Sequence, residues 1–334
     1  MPTIAVSDLK FYKPGTVSDG GANGGRMSAN QITSGAAQNV FPTVGESERT
    51  VGSLKYRKVF CKVANDDDLA LAEPKVFLDK YTPGDDRVTF FEASQTDTQA
   101  AITGSEKEYG AGKLDSNVVA TATTLDILVE DGADHPFEDG DLIRVSDRPS
   151  VSEAGNAEFV TIDGTPSVAG DVVSIVFTPA LANNYAASDT RIANVYVPNA
   201  NADVEASFEN VDLTSAAGTF DEDFLLGDAI GAIEQQITFT WTSATAFSIT
   251  SDVLGALGAG SVGAGASPVN GSFGKPYFVA QAAAFGGTFA PGDTLVFDAH
   301  PASVPVWMKR VVPAGTAALT VNGATLVMRG ETTP

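Results

Sequence analysis

Short runs of β-forming residues, separated by turn signals, recur along most of the chain. The first clear run is Leu54-Lys55-Tyr56-Arg57-Lys58-Val59-Phe60-Cys61-Lys62-Val63, which partly alternates. Asn65-Asp66-Asp67-Asp68 marks a turn, and Lys75-Val76-Phe77-Leu78-Asp79 a second strand. A second turn at Thr82-Pro83-Gly84-Asp85-Asp86 leads to Arg87-Val88-Thr89-Phe90-Phe91-Glu92. This spacing predicts an immunoglobulin-like β region over residues 53–113. Five further runs, at 125–129, 142–145, 158–162, 172–177 and 191–197, predict a small barrel-like domain over 114–198. Runs at 237–242, 246–250, 276–279, 294–297, 306–312 and 325–329 predict a C-terminal β-sandwich over 199–334.

The remaining stretches read differently. Residues 1–52 are irregular, and Ser18-Asp19-Gly20-Gly21-Ala22-Asn23-Gly24-Gly25 is too glycine-rich for an element, so an extended arm is expected. A short helical turn fits residues 36–41. Residues 253–274 carry no charge but are dominated by Gly, Ala and Ser. They are too polar for a membrane span and read as a long flexible loop. No amphipathic helix beyond about three turns and no fixed repeat is visible. The fold expected is all-β: several small β-sandwich or barrel domains with an extended N-terminal arm.

Composition narrows the function. The formal net charge is −22, which makes direct nucleic-acid binding and docking on anionic membranes poor expectations. Cys61 is the single cysteine, so a disulfide-stapled scaffold is excluded, and its strand context reads as a buried inert thiol. Nothing at the N-terminus resembles a signal peptide.

Candidate chemistry is sparse. His135 and His300 are the only histidines and give no zinc spacing with one cysteine. No Gly-x-Ser-x-Gly elbow supports a Ser-His-Asp triad. Gly258, Gly260 and Gly263 match Gly-x-Gly-x-x-Gly, but Ala264-Gly265-Ala266-Ser267-Pro268 is no helix start, so the match carries no nucleotide site. Two acidic loops could offer oxygens to calcium: Asp66 to Asp68, and Asp131, Asp134, Glu138, Asp139 and Asp141. Neither has EF-hand spacing, and solvated turn acids are the preferred reading. Trp241 and Trp307 read as core residues ahead of sugar platforms. No catalytic, metal or cofactor residue is nominated, and a non-enzymatic protein without a cofactor is expected.

A resemblance adds to this. Ser7-Asp8-Leu9-Lys10-Phe11-Tyr12, Gly24-Gly25-Arg26-Met27-Ser28 and Asn39-Val40-Phe41-Pro42 are similar to the start of tailed-bacteriophage virion proteins. Tyr56-Arg57-Lys58-Val59-Phe60 through Thr82-Pro83 resembles the opening strands of their immunoglobulin-like domain. Ala232-Ile233-Glu234-Gln235, Thr242-Ser243-Ala244-Thr245-Ala246-Phe247, Lys275-Pro276-Tyr277-Phe278 and Pro305-Val306-Trp307-Met308-Lys309-Arg310-Val311-Val312-Pro313-Ala314-Gly315 resemble their closing domain. The resemblance touches both ends and is weaker over 100–230. It implies a structural component of the virion, in the tail tip, baseplate or neck, with a capsid-decorating role as the alternative. A host-glycan-binding receptor protein and a secreted adhesin rank lower. The partners expected are other virion proteins and further copies of the chain in a symmetric assembly, put together in the bacterial host cytoplasm.

Overall fold

The computed structural model describes residues 2–198, 202–320 and 322–332. The chain is all-β. Among the described residues its strands form a five-stranded sheet, a closed barrel with one appended strand, a second five-stranded sheet and four two-stranded ribbons.

The first sheet runs in the order Gly24–Ile32, Leu9–Thr16, Ser53–Val63, Ser303–Val312, Arg87–Glu92. Its central pair matches Lys62 with Ser303 and continues without a break to Ser53 with Val312. Pro305 sits in this pair without cost. Its carbonyl accepts from Ala93, just beyond Arg87–Glu92, and pairing on that side begins only at Val306 with Glu92. The N–H that proline lacks would face the end of the neighbouring ladder. Thr325–Thr332 pairs with Leu71–Lys80, and this ribbon lies over the sheet. Val59, Cys61, Val76, Leu78, Met308 and Met328 are buried between them, while Phe77 on the ribbon's other face lies under Arg144 of the barrel.

The barrel strands are Ala111–Leu114, Thr124–Leu128, Leu142–Ser146, Ala157–Ile162, Val172–Thr178 and Arg191–Asn194. It closes where Phe177 pairs with Ile162. Alternate residues fill the interior, among them Leu125, Ile127, Val173, Ile175 and Phe177. The sequence pattern marked five of these strands, and the four-residue Ala111–Leu114 completes the ring.

The second sheet is ordered Ser207–Thr214, Thr294–His300, Gln235–Trp241, Ala246–Ser251, Gly255–Ser261. Phe239, Phe247 and Phe297 form its aromatic core, and Trp241 stacks on Phe289 at 4.1 Å.

Pairing crosses the boundaries drawn from the sequence. Ser303–Val312 and Thr325–Thr332 lie with the first hundred residues, because the chain leaves the first sheet, builds the barrel and the second sheet, and returns. The expected arm is extended, but Leu9–Thr16 and Gly24–Ile32 are a hairpin paired to Ser53–Val63 through Leu9 with Val63 and Tyr12 with Phe60. The glycines expected to forbid an element are used for close approach. Gly24 has φ +108°, and a Cβ there would lie 2.7 Å from Trp307 Cη2. Residues 36–41 form turns and bends without a helical turn, and the one α-helix among the described residues is Glu46–Val51. The loop expected over 253–274 contains the edge strand Gly255–Ser261.

Candidate subunit-contact site

Each residue weighed for chemistry has a structural position. Cys61 is fully buried, and burial pushes its thiol up, away from the reactive thiolate. Trp307 is buried under the hairpin with its Nε1 donating to Asp97 Oδ2 at 2.8 Å, and Trp241 is buried in the second sheet. Neither indole offers a face to a sugar. Gly258 and Gly260 lie in the strand Gly255–Ser261, with no helix after it.

The acidic loops are engaged with cations. Arg87 pairs with Asp134 and donates to its carbonyl at 2.8 Å, while Lys107 lies 2.9 Å from Glu138 and 3.0 Å from Asp141. The Arg87 pair holds the barrel loop to the first sheet, and Lys107 ties the segment between the two to the same loop. In the other loop Asp66 meets Lys275 at 2.8 Å, and Asp68 accepts from Ala229 N at 2.8 Å, which docks the second sheet. Among the described residues no group of three His, Cys, Asp or Glu could hold a metal ion. Glu130, tucked behind the barrel loop, has its carboxyl pushed up to about 7 by burial. His135 accepts from Phe137 N, and burial lowers its pKa. His300 bonds Glu234 at 2.9 Å, and that carboxylate raises its pKa. The two histidines lie in different units of the molecule, the barrel loop and the second sheet.

Two surface features remain open. The first is the edge of the second sheet. Gly255–Ser261 pairs with Ala246–Ser251 on one side, and among the described residues no strand covers its other side. Ser261 turns its N–H and C=O outward to Gly265, so the like groups of Ala259, two residues earlier, also face outward. The strand lies in the uncharged stretch 253–274, and exposed Val253, Leu254 and Val269 flank it. Natural edges are commonly blunted with charge or proline, and this strand has neither.

The second feature is a cleft of about 670 Å³ at one end of the first sheet. The ribbon covers the rest of that face, but here the roof consists of loops 34–44, 316–320 and 322–325. Phe11, Val59, Val88, Met308 and Val312 make an apolar floor. Arg310 lies among them, 5% exposed. Its Nη1 donates to Pro42 O at 2.8 Å and its guanidinium stacks on Phe41. Its Nε and Nη2 are buried without a hydrogen bond, since Glu48 Oε2 is 3.9 Å away. Burial lowers its pKa. Neither the cleft nor the edge strand was found from sequence, because both depend on which strand lies beside which. The uncharged run 253–274 was the one local signal.

No family model, no curated protein and no solved structure matches the chain.

Proposed function

We propose that the chain is a non-enzymatic structural subunit of a tailed-phage particle, placed in the tail tip, baseplate or neck and acting through contacts with neighbouring subunits. The observation that carries this reading is the open, uncharged edge Gly255–Ser261 on a protein of net charge −22. Elsewhere two such acidic surfaces repel, whereas an uncharged edge lets a partner strand approach and bond to the backbone. The resemblance of both ends of the chain to virion proteins points the same way. The residues weighed for chemistry support it too, since they are engaged in packing and ion pairs.

Purified particles test the proposal. Mass spectrometry should find the protein in stoichiometric amounts, and gold-labelled antibody should mark the tail tip, baseplate or neck. Label over the capsid lattice would favour the capsid-decorating alternative. Particles free of the protein would refute a virion role.

A further inference from the structure

The first-sheet cleft needs an occupant that brings both an apolar group and a carboxylate. Its floor is apolar, while Arg310 keeps two buried donors without hydrogen bonds. A buried guanidinium in that state favours an incoming anion, because each unmet donor costs free energy. Arg49 and Lys80 line the same cleft, so its wall sets three cations with Arg310 against the single carboxylate of Asp86, which Asn322 Nδ2 already engages. Its volume of about 670 Å³ falls within the range of pockets that bury a drug-sized group, about 300–1,000 Å³.

The chain itself displays a segment of that chemistry. Glu222–Phe224 is a 3-10 turn at the surface of the second sheet's domain. Phe224 is 36% exposed, and among the described residues no other phenylalanine is exposed. Asp221, Glu222 and Asp223 precede it, and exposed Leu226 follows closely. The turn is firmly held: Asp221 accepts from Asp223 N, and Phe224 O accepts from Gln281 N at 3.0 Å. An exposed aromatic on a rigid acidic turn is suited to an apolar socket with an under-bonded arginine.

We infer that the cleft receives the Glu222–Phe224 turn of a second copy of this chain, Phe224 entering the apolar floor and an acidic side chain of the turn pairing with Arg310. Socket and turn lie on different parts of the subunit, and with the turn of each copy entering the cleft of the next the contact is head-to-tail and extends into a ring or filament. The inference rests on the reading of the chain as an assembly subunit and adds the partner. Phe41 and Pro42, which now cover Arg310, are displaced by the incoming turn.

Sedimentation velocity of the purified full chain tests this. The wild-type protein should show mass rising with concentration, and association should weaken as salt rises. Phe224→Ala spoils the turn and leaves the cleft intact. Ala318→Trp fills the cleft from its exposed roof and leaves the turn intact, and Leu319→Asp replaces it should that variant not melt cooperatively. Each variant alone should associate at least about tenfold more weakly than wild type. An equimolar mixture of a turn variant and a cleft variant should form a one-to-one pair and stop there, because one intact turn meets one intact cleft. A wild-type protein that stays monomeric at every concentration, variants that associate like wild type, or a mixture that does not pair would each overturn the inference. None of these outcomes decides whether the protein is in the particle, which particle composition tests separately.

Discussion

Several buried charges have consequences that single substitutions can expose. Arg144 and Asp79 pair at 2.7 Å with 2% and 4% of their side chains exposed, and they join the barrel to the ribbon strand Leu71–Lys80. Asp79→Ala leaves a guanidinium buried without its counter-charge, and denaturant unfolding should show a loss of about 3–5 kcal/mol. Removing both charges with apolar residues of similar size should restore most of that loss. Glu130 gives a pH signature of known sign. Its folded pKa of about 7 lies above the ordinary 4.5, so its contribution to stability is full below about pH 4.5 and lost as pH rises toward 7. Glu130→Gln should therefore melt higher than wild type above pH 7, by on the order of 2 kcal/mol, and the gap should close in acid. His300 is also raised, so the support it gives through Glu234 is present in acid and fades as pH rises through its folded pKa. Melting temperatures across pH for His300→Gln should lack that decline. Of these residues the sequence singled out only His300, because a partner such as Asp79 for Arg144 lies 65 positions away in the chain.

At the scale of elements, the hairpin of Leu9–Thr16 and Gly24–Ile32 is the part that the sequence misrepresented most. Its glycines read as flexibility, yet Gly24 lies against Trp307, and Lys58 Nζ donates to Gly25 O at 2.9 Å and to Asp97 Oδ1 at 2.6 Å. Asn23 is buried and bonds to Tyr56 O and Gln99. Residues 9–32 should thus resist limited proteolysis in the free subunit. Gly24→Ala, which meets the indole ring and an unfavourable φ, should destabilise by about 2–4 kcal/mol and open the hairpin to cleavage. Strands with strong local patterns, such as Gln235–Trp241 and Val172–Thr178, were legible from alternation alone. Gly255–Ser261 was not, since small residues carry no alternation and only pairing with Ala246–Ser251 makes them a strand.

At the scale of the whole molecule, the all-β class and the barrel were legible, because short runs and turn signals are local properties. The return of residues 303–312 to the middle of the first sheet was not, since local pattern does not say which strand pairs with which. This closure fastens the molecule end to end. Asp66 and Asp68 tie the second sheet to the first, Arg26 donates to Glu234 O at 3.0 Å and pairs with Asp252, and Lys309 pairs with Glu108 beside the barrel. Contacts at the open edge are proposed to place the subunit in the particle. The direct measurement is the copy number of an Ala259→Lys variant in particles grown without the wild-type protein. Ala259 is exposed, so the variant should melt within about 0.5 kcal/mol of wild type. The folded variant should be present at a small fraction of the wild-type copy number. Incorporation at the wild-type level would mean that the open edge does not hold the subunit in the particle.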